Sequence, residues 1–550
     1  MRRYIFVSGG VMSSVGKGIV ASSISLLLKR HGFKVVPVKC ENYFNVDSGT
    51  INPIEHGDPF LCEDGLEADM DLGNYERFLN QKMGKDNFVT MGQIFKTVID
   101  RERSMGYKGE DVEAIPHVCD EIIRRIKDAG EKGKADFVVI ELGGTVGEYQ
   151  NVLYYEASRV MALEKGSVIH IHVSYVPIPP HIGEPKTKPT QLSIRQLMAM
   201  GIQPDIVILR SEGDVDDQRR YKLALTCNIQ PKNVFSNPNV GCVYSVPLLL
   251  HKQGIDNVIL ELFGMKAKGI DMSDWERLAK KVKEKKGEVK ISIVGKYFGT
   301  GNYSLADSYF ALLEAIRHAC WELNVNPVFN FINSEKREKD VEELLKGSQG
   351  IIVPIGWGAR GVEGKIKAIK FAREKKIPFL GLCYGMQLAC VEFARDVIGW
   401  KGAQSSEVDP KTPYPILHEI PFNKKYQVIK GDGTSMRLGA YDCVLKKGTY
   451  VYKIYENHNA FKDKKKGLVS ERHRHRFEFN NKYRDEFEKN GLVISGTSPD
   501  NFFVEMIELP QSVHPFFIGT QGHPEYKSTP IEPHPLFLEF IKSSIKMKKA

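Results

Sequence analysis

Short, β-rich apolar runs recur along this chain, and each breaks off in turn residues. Residues 4–8, 34–39, 136–142, 167–174 and 205–210 are of this kind, with helix-like stretches such as 18–30 and 118–127 between several of them. Strands that alternate with helices predict a parallel sheet covered on both faces, because a parallel connection has to cross over the sheet. Between Met265 and Gly287 the composition changes, and Trp275-Glu-Arg-Leu-Ala-Lys-Lys-Val-Lys-Glu-Lys-Lys reads as a charged linker helix. A second α/β pattern begins at 289–295 and continues through 350–355 and 377–383 to 516–521. The expected fold class is α/β, with two doubly wound domains of mainly parallel sheet. Their expected bounds are 1–268, a linker helix over 269–288, and 289–545. The segment 480–490 and the Lys-rich tail after Ile541 read as solvated, and no internal repeat is found.

Composition narrows the function classes. With 42% hydrophobic and 26% charged residues, the chain is an ordinary globular one. A net charge of +9 over 550 residues is too modest to demand a nucleic-acid partner. It suits anionic small substrates, although a solvated Lys/Arg surface explains it as well. The nine cysteines show neither CxxC spacing nor paired clusters, which predicts a reduced, cytoplasmic chain without a zinc framework. The first apolar run is too short for a signal peptide, and no stretch of about 18 apolar residues predicts a membrane span.

The first predicted strand leads into Gly9-Gly10-Val11-Met12-Ser13-Ser14-Val15-Gly16-Lys17-Gly18 and then a helical run. A glycine-rich strand-to-helix turn aims backbone N–H groups and a helix N-terminus at phosphate, and Lys17 adds a mobile cation. The common phosphate loop has Ser or Thr after the lysine to hold Mg²⁺, whereas Gly18 stands here. Carboxylates then have to carry more of the metal. Asp71 and Glu141 are the candidates, Glu141 following a fully apolar strand and preceding a glycine turn.

In the second half, Pro378-Phe-Leu-Gly381-Leu382-Cys383-Tyr384-Gly385-Met386-Gln387 reads as a strand that breaks sharply into a helix with Cys383 at the elbow. Such a turn exposes a nucleophile and sets it near a helix N-terminus, which favours thiolate. A lone strand-end cysteine is more often plain packing, but Gln521-Gly522-His523-Pro524-Glu525 follows another apolar strand. His523 can take the thiol proton and Glu525 can orient the imidazole. Val353-Pro354-Ile355-Gly356-Trp357-Gly358 also closes a strand, so the N–H of Gly356 could join that of Tyr384 in an oxyanion hole.

Gly381-Leu-Cys383-Tyr-Gly385-Met-Gln387 together with His523-Pro-Glu525 resembles the class I glutamine amidotransferases, which form a thioester with glutamine and release ammonia. The resemblance implies that Gly356, Tyr384, Gln387, Glu407 and Arg476 hold the glutamine. Without it, the basic run 472–476 could equally be a surface charge run. Ser8-Gly-Gly-Val-Met-Ser-Ser-Val-Gly-Lys-Gly18, Asn45-Val-Asp-Ser-Gly-Thr50, Asp69-Met-Asp71-Leu-Gly-Asn-Tyr-Glu-Arg-Phe78, Glu141-Leu-Gly-Gly-Thr-Val-Gly147 and Lys186-Thr-Lys-Pro-Thr-Gln191 resemble the CTP synthases, a P-loop NTPase-like synthetase followed by such an amidotransferase. That resemblance runs from Met1 to about Lys542.

It implies ATP contacts from Ser14, Val15, Gly16, Lys17, Gly18, Ile19, Asp71 and Val240, with Asp71 and Glu141 on Mg²⁺. It implies UTP and CTP contacts from Ser13, Lys39, Glu148, Tyr149, Gln150, Lys186, Thr187, Lys188, Pro189, Thr190, Gln191 and Lys222. The implied reaction is phosphorylation of the uracil 4-oxygen of UTP by ATP, then displacement of that phosphate by ammonia. GTP as activator, with Arg437 as its candidate contact, CTP as feedback inhibitor, and a homotetramer that also forms filaments come with the same resemblance. The competing readings are another glutamine-dependent P-loop amidoligase and a filament-forming regulatory relative.

Several positions depart from the family pattern: Glu41-Asn42 for Asp-Pro, Gln150 for an acidic residue, Ile355-Gly356 for a Gly-Gly pair, Asn237-Pro-Asn239 near Val240, and Gly522 before the histidine. They bear on CTP feedback, adenine contacts and glutaminase rate.

Overall fold

The computed structural model describes every residue except 1, 52–56, 58, 285–286, 297, 301–302, 305–308, 336–337, 339, 424–426, 430–433 and 548–550. The chain divides into two units, one of residues 1–50 and 71–283, the other of residues 51–70 and 284–550.

The first unit is built on a seven-stranded sheet in the order Phe88–Thr90, Val35–Glu41, Phe137–Leu142, Arg3–Gly10, Val168–Tyr175, Ile206–Ser211, Val234–Pro238. All neighbouring pairs are parallel. Phe137–Leu142 is buried at every position, as a strand covered on both faces has to be. Helix Lys17–Arg30 follows the glycine-rich turn, and two of its buried hydroxyls are satisfied within the helix, Ser22 donating to Gly18 O and Ser23 to Ile19 O. The charged stretch expected as a linker does form a helix, Ser273–Lys283, but it is not merely solvated. Trp275 is buried and packs against Phe78 and Tyr244 of the same unit.

In the second unit a larger sheet runs Val325–Asn333, Gly287–Gly295, Gly350–Val353, Phe379–Leu382, Phe517–Thr520, Val504–Glu508, Val493–Thr497, Ser435–Leu445, Val428–Ile429. It is parallel as far as Phe517–Thr520 and antiparallel beyond. Alternate side chains serve opposite faces: Ile351, Val353, Phe379 and Phe517 join one buried cluster, and Ile352, Leu380, Leu382 and Ile518 the other. Leu468–His475 pairs with Ser435–Leu445, and a small hairpin, Phe60–Leu61 with Glu67–Ala68, belongs to this unit.

Two expectations of solvation are corrected here. Segment 480–490 carries helix Arg484–Lys489 and buries Tyr483 and Phe487, which pack on Trp400. Residues 542–547 of the tail continue helix Pro535–Met547, with Ser544 fully buried, and 548–550 lie outside the described residues. Among the described residues, no helix is long and apolar enough to cross a membrane.

Candidate active sites

In the first unit the strand Arg3–Gly10 ends in the glycine-rich turn, and Gly16 takes φ 93 just before helix Lys17–Arg30. That left-handed conformation is one that glycine adopts without strain. Lys17 is buried and its Nζ donates to Gly144 O at 2.8 Å. Burial and the neighbouring Lys39 lower its pKa, against the pull of Glu141, Glu41 and Asp71. Ser13 and Ser14 are exposed on the turn, while Val15 is buried. Arg210, which the sequence did not single out, reaches within 3.5 Å of the place a Cβ on Gly16 would take, and it donates to Asn237 O at 2.6 Å.

Gly18 has a steric reason. A Cβ there would run into the Asp71 carboxylate, which stands where the usual hydroxyl would be. Asp71 and Glu141 converge: Lys39 Nζ donates to Asp71 Oδ2 and to Glu141 Oε1, each at 2.6 Å, with Glu41 at 3.3 Å. Tyr75 donates its hydroxyl to the other oxygen of Glu141. Burial and then the Asp71 charge raise Glu141 to about 7, against the pull of Lys39 and Lys17. Burial also pushes Asp71 up, but Lys39 and the bond from Asn74 outweigh it and hold the carboxyl below its usual range. Two carboxylates that share one ammonium offer the hard oxygens Mg²⁺ takes alongside nucleotide phosphate. Among the described residues no group of three or more His, Cys, Asp or Glu side chains is placed to hold a metal ion. Lys39, expected beside the pyrimidine nucleotide, is held here by these carboxylates.

The remaining nucleotide candidates fall into separate places. Lys186, Thr187, Lys188, Gln191 and Lys222 line one cavity of about 510 Å³ together with Arg219, which sequence reasoning missed although it precedes Lys222 by one helical turn. Glu184 pairs with both Lys186 and Arg219 at its rim. Pro189 sits in the first turn of helix Lys188–Ala199, whereas Thr190 is fully buried and donates to Tyr175 O at 3.2 Å. Glu148 is anchored by Thr145 N at 2.7 Å and by Asn42 at 3.1 Å, Gln150 is exposed, and Tyr149 is 96% exposed. Ile19 follows Gly18 in the helix. Val240 lines a second cavity, of about 380 Å³, with Cys242, Val282 and Lys283, the last two from the helix expected as a linker.

In the second unit strand Phe379–Leu382 ends at Cys383, whose φ of 52 and ψ of −100 are strained for a residue with a side chain. Helix Tyr384–Asp396 starts at the next residue. A Cβ on Gly385 would strike Val353 O, so only glycine lets helix and strand approach this closely. His523 follows strand Phe517–Thr520, and its Nδ1 bonds Glu525 Oε1 at 2.7 Å. Burial works against a charged His523, but Glu525 and Cys383 outweigh it and raise the imidazole well above its usual range. The thiol donates to Arg474 O at 3.7 Å, and His523 Nε2 has no hydrogen-bond partner among the described residues. Catalytic bonds are often this loose before substrate arrives.

Gly356 and Tyr384 are neighbours, the Tyr384 ring lying 3.4 Å from where a Cβ on Gly356 would stand. Glu407 accepts from Gly358 N at 2.9 Å, and burial raises its carboxyl against Lys296 and Arg476, the latter a fellow glutamine candidate. Gln387 donates to Phe477 O at 2.8 Å and to Gln521 Oε1 at 3.0 Å. Gln521, which sequence reasoning missed, in turn donates to Cys383 Sγ at 3.5 Å.

The basic run 472–476 is not a surface charge run. Arg472, His473, Arg474 and His475 are all buried. Arg472 donates to Leu61 O at 2.8 Å, and Arg474 Nε donates to Glu67 Oε1 at 2.6 Å. Arg437, the candidate for the GTP response, is buried too, paired with Glu505 and packed on Tyr441 and Phe503. The unusual Gly522 leaves room for Glu471, whose Cβ stands 2.6 Å from where a Cβ on Gly522 would be.

Residues 3–265 match the family described as CTP synthase N-terminus, and residues 304–543 match glutamine amidotransferase class-I. A CTP synthase from Caldanaerobacter subterraneus subsp. tengcongensis is 45% identical over 551 residues, covering 100% of this chain and 99% of that one. The CTP synthase of Bacillus subtilis is 44% identical over 548 residues, covering 99% of each. Among solved structures, the Trypanosoma brucei CTPS glutaminase domain with bound acivicin is 34% identical, covering 47% of this chain and 94% of that one at a TM-score of 0.41. With a glycine-rich strand-to-helix turn in one unit, a cysteine elbow in the other and full-length likeness to both relatives, the chain belongs to the CTP synthase family.

Proposed function

We propose that Cys383, His523 and Glu525 are the glutaminase triad of this glutamine-dependent ligase, and that the unit carrying Lys17, Asp71 and Glu141 is the synthetase domain that spends ATP on UTP. The observation that carries the reading is the strained elbow at Cys383, set at a helix N-terminus beside a histidine that Glu525 holds. His523 takes the thiol proton, the sulfur attacks the glutamine amide carbon, and the N–H groups of Gly356 and Tyr384 receive the developing oxyanion. Gln387, Glu407 and Arg476 seat the glutamine. Collapse of the oxyanion breaks the C–N bond as His523 returns the proton to the amide nitrogen, so ammonia leaves and the thioester remains; water activated by His523 then releases glutamate and the Cys383 thiol.

In the synthetase domain the turn from Ser13 to Ile19 cradles the ATP phosphates, with Lys17 neutralising charge and Val240 beside the adenine. Asp71 and Glu141 would hold Mg²⁺, which when bound neutralises phosphate charge during transfer. Lys39 is the cation that has to yield there. Lys186, Thr187, Lys188, Gln191 and Lys222 would seat the triphosphate of UTP or CTP, with Ser13, Pro189, Thr190, Glu148, Tyr149 and Gln150 nearby. Transfer of the γ-phosphoryl group to the uracil 4-oxygen makes that oxygen a leaving group, and ammonia displaces it at carbon 4. Activation by GTP, inhibition by CTP, a cytoplasmic location and a homotetramer rest on the family alone.

The test is UTP amination with glutamine or free ammonia as nitrogen source. CTP from both in the wild type, and from ammonia alone in Cys383→Ala, is the expected outcome. No CTP from either source with ATP and Mg²⁺ present would overturn the reading.

A further inference from the structure

Lys365 breaks two rules of local structure at once. It stands near the start of helix Val362–Glu374, where the helix dipole disfavours a cation. Its side chain is also fully buried, and its Nζ has no hydrogen-bond partner among the described residues. An ammonium buried without a partner is costly, and departures of this kind concentrate where function holds them in place.

What the amine packs against is the pair of oxyanion-hole candidates. Nζ lies 5.1 Å from the centre of the Tyr384 ring and 2.5 Å from the point a Cβ on Gly356 would occupy. Burial first, and then Lys296, lower its pKa to about 7, while Cys383 favours its charge. Among the described groups that act on it there is no carboxylate. A carboxylate would fix the charge permanently, whereas this amine answers to the sulfur.

We propose that Lys365 is a positioning residue of the glutaminase site, its buried amine favouring negative charge on the Cys383 sulfur and on the glutamine carbonyl oxygen through its packing on Gly356 and Tyr384. The inference rests on the triad reading given above. Glutamine binds with a neutral amide, so the field of the amine acts chiefly once charge develops, and its loss falls on kcat rather than on KM.

The experiment compares the full-length wild type with Lys365→Met, which keeps the apolar stem and removes the amine, and with Cys383→Ala. Removing a direct oxyanion-hole donor costs about 100- to 1,000-fold, so an amine acting at one remove is expected to cost about tenfold in kcat for glutamine hydrolysis, with KM changed less than about twofold. The melting temperature of Lys365→Met is expected to be no lower than wild type, because a buried unpaired amine has been removed. CTP synthesis from free ammonia reports that the chain is folded. If the methionine variant does not fold, Lys365→Leu carries the same expectation. An unchanged kcat in a folded variant overturns the proposal, as does a joint fall in kcat, melting temperature and ammonia-dependent synthesis, which marks plain packing. Should Cys383→Ala keep glutamine-dependent turnover, the triad reading fails instead and the inference falls with it.

Discussion

Arg474 gives its guanidinium to Glu67 at 2.6 Å while its carbonyl oxygen accepts the Cys383 thiol at 3.7 Å. One residue thus ties the hairpin Phe60–Ala68 to the nucleophile, and both ends of that tie are buried. Removing one partner of a buried pair typically costs about 3–5 kcal/mol. Glu67→Ala is therefore expected to lower the melting temperature and to depress glutamine hydrolysis, with ammonia-dependent synthesis less affected. Thermal melts and paired assays with the two nitrogen sources check this.

The backbone at Cys383 gives a prediction independent of chemistry. A residue with a Cβ at φ 52 and ψ −100 carries strain of about 1–3 kcal/mol. Cys383→Gly relieves that strain and Cys383→Ala does not. Both variants are expected to lose glutaminase activity by about 10⁴-fold or more. In chemical denaturation the glycine variant should be the more stable by about 1 kcal/mol.

Gly18→Ser would restore the hydroxyl of the common phosphate loop, but its Cβ would meet the Asp71 carboxylate. The expected result is loss of ATP-dependent amination by about 100-fold or more, as the phosphate site is displaced. Glutamine hydrolysis should persist. Assaying both reactions on one preparation decides it.

Glu525 and Cys383 raise His523 from 6.5 to about 10. A group whose folded pKa lies above its unfolded value contributes stability that is complete below the unfolded pKa and is lost as pH rises through the folded one. The His523–Glu525 contribution should therefore be full near pH 6 and gone above about pH 10. Glu525→Gln is expected to destabilise the protein most at the acid end of that window, the difference from wild type closing as pH rises. A difference that stays constant in denaturation curves across pH 7–10 would mean the pair is neutral and would overturn the expectation.

Lys222→Ala removes one cation from the cavity that Lys186, Lys188 and Arg219 share. A charge-assisted contact to phosphate is worth about 1.5–3 kcal/mol. The expected effect is a KM for UTP raised about tenfold or more, with glutamine hydrolysis unchanged.

The strands that carry both sites were legible because fully buried parallel strands read as unbroken apolar runs and end in glycine turns. The elbow at Cys383, the turn before Lys17 and the positions of His523 and Glu141 all follow from that punctuation. What stayed hidden depends on partners far away in sequence. Arg472 and Arg474 look solvated until Leu61 O and Glu67 are placed opposite them. Phe487 sits in a polar stretch, and only its packing on Trp400 and Phe393 buries it. Gln521 gave no signal because a glutamine at a strand end is commonplace, and only the fold brings it to the thiol.

Residues 51–70 belong with 284–550, so the glutaminase unit is not one continuous stretch of chain. A fragment cut at residue 284 would leave behind the Leu61 and Glu67 oxygens that receive Arg472 and Arg474, and each buried guanidinium would lose one of its acceptors. Excised that way, the amidase half would carry its nucleophile on a frame missing a rib, and its rate would measure the excision as much as the enzyme.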